Sequence, residues 1–148
     1  MAMATPIDSR PAPAAPQGGS VRVLLRLEGL AVAAVSAMLY ARTGVSWWLF
    51  AALWLVPDLS MLGYLTGYPC RGARVYNAFH TYFLPAILAL PAYLLHAHVL
   101  LAVALIWVNH IGVDRLLGFG LKYSDGFAFT HLGTHQKRGK PIPQTGAQ

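Results

Sequence analysis

Asp58, His80, His110 and Asp114 bring two imidazoles and two carboxylates to a chain in which 56% of residues are hydrophobic and only 11% are charged. Imidazole nitrogen with carboxylate oxygen is a donor set of zinc, iron and manganese sites, and equally of general acid–base pairs. Local spacing suits either use. His110 and Asp114 stand four residues apart and Asn77 and His80 three apart, so in a helix each pair shares one face. A carboxylate one turn from a histidine can fix the imidazole tautomer and raise its basicity. Asp58, His80 and His110 are therefore the candidate ligands for a divalent metal, with His131 placed to close over them from the C-terminal segment. Asp58, His80, His110 and Asp114 are the candidate catalytic groups, and Arg26, Glu28, Ser60, Asn77, Asn109 and Arg115 are the polar residues expected to support them. The chain has no His-Glu-x-x-His, no repeated Glu-x-x-His and no paired histidine box.

The elements that must position these groups are apolar and long. A mean hydropathy of +0.49 over 148 residues points to one integral membrane domain. A first span runs from about Val21 to Tyr40 and breaks at Arg42-Thr43-Gly44. Ser46 offers an N-cap to a second span, Trp47 to Tyr64, with aromatic residues at both edges as membrane interfaces favour. Gly67 to Arg74 reads as a polar loop. Val75 to Asp114 would make a helix of about 60 Å, twice a bilayer core of about 30 Å, so it must hold two spans. Their turn is expected near Leu95-His96-Ala97-His98. The expected fold is all-α: an up-down four-helix transmembrane bundle, 21–133, with a short C-terminal segment on its cytoplasmic face. An Ala/Pro-rich tail, 1–20, is expected to be disordered rather than a cleaved signal peptide, and 134–148 to be a flexible basic tail.

Charge sets the orientation. Of eleven Lys and Arg residues, only Arg42 falls on one side, while ten fall on the side of both tails and the loop between spans two and three. The positive-inside rule then places both termini in the cytoplasm of a multi-pass protein of the plasma (inner) membrane. Asp58, His80, Glu28 and His110 come to roughly 7–9 Å below that face, at one depth. Buried polar groups are costly in lipid, which argues for a shared purpose. The net charge of +6 is accounted for by topology, and nucleic-acid binding is excluded because no basic helix face or aromatic platform accompanies it. Expected partners are the bilayer, anionic lipid at the basic tail, and a second copy of the chain. Cys70 is the sole cysteine, so no intramolecular disulfide forms.

Several runs carry a family resemblance: Leu25-Arg26-Leu27-Glu28-Gly29, Pro57-Asp58-Leu59-Ser60-Met61-Leu62-Gly63-Tyr64, Tyr76-Asn77-x-x-His80-Thr81-Tyr82, His110-Ile111-Gly112-x-Asp114-Arg115-x-x-Gly118-x-Gly120-Leu121-Lys122-Tyr123, and Phe127-x-x-Thr130-His131-Leu132-Gly133. Over about residues 22 to 133 the chain resembles a family of small bacterial membrane proteins catalogued as domain of unknown function 4260. The resemblance implies several membrane helices and brings no activity, substrate or cofactor with it.

Three functional readings follow from the residues. The polar cluster is a structural network or partner-binding module that holds four helices in register. Alternatively it is the centre of a metal-dependent membrane enzyme, holding zinc, iron or manganese and acting on a lipid-like or other apolar substrate. A small-ligand site or proton path is the third.

Overall fold

The computed structural model describes residues 19–122, 129–130 and 133–134. The tail before residue 19, His131, most of the expected C-terminal segment and the basic tail lie outside the described residues. Helices dominate: α1 (Gly19–Arg42), α2 (Trp47–Leu53), a 3-10 helix (Val56–Thr66), α3 (Pro69–Phe79), α4 (Phe83–Leu94) and α5 (His98–Leu117). A two-residue antiparallel pair, β1 (Phe129–Thr130) and β2 (Gly133–Thr134), sets Phe129 opposite Thr134. Three helical stretches are long and apolar enough to cross a membrane: Gly19–Arg42, Trp47–Leu65 and His98–Leu117.

α1 and α5 form the spine. Gly29, Ala33, Ser36 and Tyr40 recur at helical spacing along the buried face of α1. A Cβ on Gly29 would fall 2.7 Å from the Leu116 nitrogen, and one on Gly112 would fall 2.9 Å from the Ala33 nitrogen. Small residues thus let the two backbones touch, as lipid-embedded helices require when no hydrophobic effect drives them together. At the other end Tyr40 packs with Ala102, Leu105 and Ile106. Residues 29 to 40 therefore run against 112 to 102, and the helices are antiparallel. Asn109 locks the pair by donating to the Ala33 carbonyl at 2.8 Å and the Ser36 hydroxyl at 3.3 Å.

The remaining helices are interrupted, each by proline. Pro57 has no N–H for the Leu53 carbonyl and its ring would crowd it, so α2 ends and the chain continues as a 3-10 helix. Three residues per turn align every third side chain. Leu59, Leu62 and Leu65 accordingly form one exposed row. Pro57 and Ser60 form a buried row, which continues to Gly63 beside Val75 of α3. Gly72 of α3 meets the Tyr64 ring, where any Cβ would approach to 2.5 Å.

Pro85 plays the same part between α3 and α4. Within a continuous helix its ring would collide with the Thr81 carbonyl; in the first turn of α4 its missing N–H costs nothing. The break at His80–Tyr82 frees backbone carbonyls that side chains then occupy. Thr81 Oγ1 donates to Ala78 O at 3.2 Å, Trp107 Nε1 to Phe79 O at 2.7 Å, and Arg115 Nη2 to His80 O at 3.2 Å. The expected polar loop 67–74 is largely absent: Pro69, at the first helical position, starts α3, and Cys70, Arg71 and Arg74 ride on it. The turn between α4 and α5 stands at Leu95–Ala97, with His96 at φ 54°.

Candidate metal centre

Four side-chain atoms from three parts of the chain converge beside the spine. Asp58 comes from the 3-10 helix, His80 from the cap that ends α3, and His110 and Asp114 from successive turns of α5. His80 Nε2 lies 3.4 Å from Asp58 Oδ1 and 3.4 Å from Asp114 Oδ2. His110 Nε2 lies 3.5 Å from Asp58 Oδ1 and 3.7 Å from Asp114 Oδ2. The two Nε2 atoms are 3.4 Å apart, and all four atoms fall within 4.8 Å of one another. A tetrahedron of N and O donors about 2.0–2.1 Å from a central ion has edges of about 3.3–3.4 Å. Five of the six edges here come close to that length.

The chemistry of these atoms matches their spacing. His80 Nδ1 sits 2.9 Å from the Tyr76 carbonyl, which can only accept, so Nδ1 carries the proton. His80 Nε2 of the neutral ring is then a bare lone pair turned toward a second imidazole nitrogen and two carboxylates. Such a meeting of acceptors is repulsive until a cation joins it. The Nδ1–H to carbonyl bond is also the arrangement that orients a metal-ligating histidine. His110 packs edge-on against Trp54, ring centroids 5.0 Å apart, and is 1% exposed. Exposure separates the four side chains: His80 3%, His110 1%, Asp114 15%, Asp58 38%.

Local structure explains why these side chains meet. His110 and Asp114 lie one turn apart on α5, on the face toward α3 and the 3-10 helix. His80 enters the cluster because α3 has ended: its backbone N–H closes the last turn onto Tyr76 and Asn77 carbonyls, and its ring stacks on Tyr76 at 3.8 Å. Asn77, expected on the same face as His80, turns elsewhere and takes both backbone groups of Lys122, donating to its carbonyl at 2.8 Å and accepting from its N–H at 2.7 Å. This clamp brings the chain after α5 back over α3.

The supporting residues divide. Asn109 accepts from Trp54 Nε1 at 3.0 Å while donating to α1, so it ties three elements together one residue before His110. Arg115 holds the His80 carbonyl. Arg26 stays outside the cluster, its Nη2 3.5 Å from the Leu117 carbonyl, packed where a Cβ on Gly118 would sit. Glu28 does not join either and is exposed. It precedes Gly29, which faces α5, and one residue turns a helix by about 100°. Ser60 is buried against α3, its hydroxyl without a hydrogen-bond partner among the described residues. With cluster edges near 3.5 Å no guanidinium nitrogen fits at the centre.

Three residues at the site were not among the expected site residues. Trp54 and Tyr76 build the walls of the two imidazoles. Tyr76 lies one turn before His80, a spacing that could have signalled it. Lys122 is buried with Nζ 4.7 Å from the centre of the Tyr76 ring. Burial brings its ammonium down to about 8, against the opposing pull of Asp114 and Asp58. No local signal marks it, because only the long-range Asn77 clamp brings it there.

Comparison with curated proteins and with solved structures returns no match. The sequence pattern of one family, described as a domain of unknown function (DUF4260), matches residues 22–134, a stretch that includes all four converging side chains and all described elements but the first three residues of α1, and the chain belongs to that family.

Proposed function

We propose that the protein is a multi-pass membrane metalloprotein holding one divalent ion, zinc by preference, between Asp58, His80, His110 and Asp114. The observation that carries this reading is the convergence of four acceptor atoms, five of whose six edges measure 3.4–3.7 Å, with His80 Nδ1 already committed to a carbonyl. Two imidazoles with two carboxylates also suit iron or manganese, but near-tetrahedral spacing favours zinc. The ten-to-one distribution of Lys and Arg supports cytoplasmic termini in the plasma membrane. α4, twelve residues and about 18 Å long, pairs antiparallel with α5 as the fourth helix of an up-down bundle without crossing the full bilayer core by itself, and α3 lies along the cytoplasmic face.

The reading extends to enzyme chemistry. A bound divalent ion polarises carbonyl or phosphoryl oxygens and acidifies water. Asp58 is the ligand most open to displacement, being the most exposed of the four. Lys122 and Arg115 line the same region and suit an anionic group on an apolar, lipid-like substrate. The competing reading, a purely structural network, needs protons shared among the two histidines and the two carboxyl groups instead of a metal.

Metal analysis of protein purified in detergent separates the two. The expected result is about one zinc per chain, reduced to near zero in His80→Ala and His110→Ala. Helical content checked by circular dichroism must persist in those variants. A folded parent protein that carries no zinc, iron or manganese and takes up none on titration would overturn the proposal.

A further inference from the structure

At the end of the bundle remote from the cluster, the close of α1, the close of α4 and the start of α5 surround a cavity of about 340 Å³. Its walls are apolar, formed by residues such as Leu39, Ala92 and Leu105, while Arg42, His96 and His98 stand on its margin. We infer that this cavity binds an acidic phospholipid, with the phosphate against Arg42, His96 and His98 and an acyl chain along the apolar walls.

Charge at this end has one sign. The carboxylates among the described residues are Glu28, Asp58 and Asp114, all at the other end of the bundle. Arg42, His96 and His98 are exposed, and among the described residues their side chains have no hydrogen-bond or ion-pair partner. Arg42 is also the one Lys or Arg on this side of the chain. An exposed guanidinium at the mouth of an apolar cavity, with no carboxylate of the described residues near it, suits an anion. The α5 N-terminus adds to the attraction: its cap, Ala97, gives no side-chain hydrogen bond, and His98 N–H alone of the first three amides is taken, by the His96 carbonyl at 3.0 Å. His96 is held at φ 54° in the turn between α4 and α5, and lines the same cavity as Arg42.

The apolar walls select the occupant. Free phosphate would satisfy Arg42 and leave Leu39, Ala92 and Leu105 uncovered. A zwitterionic lipid brings its own cation to the phosphate and gains less from a basic margin. An acidic phospholipid satisfies both parts of the cavity. The site is separate from the metal centre, so either proposal can fail alone.

Native mass spectrometry of the detergent-purified protein with equimolar phosphatidylglycerol or phosphatidylcholine tests the inference. The unaltered protein should retain phosphatidylglycerol in preference, by about fivefold for each cation engaged. The double variant Arg42→Gln/His98→Gln should lose that preference while keeping its metal and helical content. Equal retention of the two lipids by the unaltered protein would overturn the inference, as would displacement of phosphatidylglycerol by equimolar inorganic phosphate. Undiminished preference in a folded double variant would do the same. Should that variant not fold, the two comparisons on unaltered protein decide the matter.

Discussion

The two halves of α5 hold their neighbours by different means. Its first half packs Ala102, Leu105 and Ile106 against Tyr40, with Val45, Phe50, Leu53 and Trp54 around them. Aromatic rings dominate there: Tyr40 lies 5.0 Å from Trp47 and 5.1 Å from Phe50. Its second half carries Asn109, His110, Asp114 and Arg115, joined to α1, α2, α3 and the 3-10 helix by directed polar contacts. The polar half is also where neighbouring helices break. Apolar packing tolerates small shifts, whereas each polar contact fixes a distance and a direction. The lesson is that regular helix was given up where a site had to be assembled, and retained where only cohesion was needed.

The largest expected effect falls at the Gly29–Gly112 contact, which seats the polar half of α5 on α1. Gly29→Leu would push α1 off α5 and should cost about 3 kcal/mol in thermal unfolding, with loss of bound metal as well. Ile106→Ala should cost about 2–3 kcal/mol through the cavity it leaves, while metal content stays at the parental level. If Ile106→Ala emptied the metal centre, the two halves would not be separable. Asn77→Ala releases the Lys122 backbone and should cost about 1–2 kcal/mol. Its signature is a metal affinity about tenfold weaker, measured by chelator competition, since a positioning contact of the site is gone.

The smallest effect concerns pH. Lys122 is held at about 8 against an ordinary 10.5, so between those values the unfolded chain binds the proton that the folded chain has released. Stability of the metal-free protein should therefore rise as pH increases from about 8 toward 10.5, and the cost of charging Lys122 is fully present below 8. Lys122→Met should flatten that rise. A parallel slope in the parent and the variant would show that Lys122 contributes nothing to it.

Much of this arrangement was legible in the chain. Long apolar runs bounded by Trp, Tyr and Arg mark membrane-length helices because bilayer thickness sets the length required. Helical spacing places His110 one turn from Asp114, and depth counting aligns Asp58 and His80 with them. The two prolines were visible too, yet reading spans two and three as continuous helices missed what they do. Pro57 converts half a span to a 3-10 helix, and the Leu59, Leu62 and Leu65 spacing of three is its trace. Glu28 was grouped with the site on depth alone, and depth carries no information on which way a side chain faces.

What the sequence determined by itself is therefore one-dimensional: family, the apolar stretches long enough to cross a bilayer, the position of each polar residue along them, and the charge asymmetry between the two ends. These depend on composition and on distance along an axis, which local spacing encodes. Tertiary structure alone decided which polar groups meet. His80 reaches Asp58, His110 and Asp114 only because α3 stops at Phe79, and Arg115, Trp107 and Thr81 take up the carbonyls that the stop exposes. Lys122 comes back over Tyr76 only because Asn77 binds its backbone across forty-five residues. Such meetings depend on angles around helix axes and on where each axis ends, and those are settled by close packing among all the helices together.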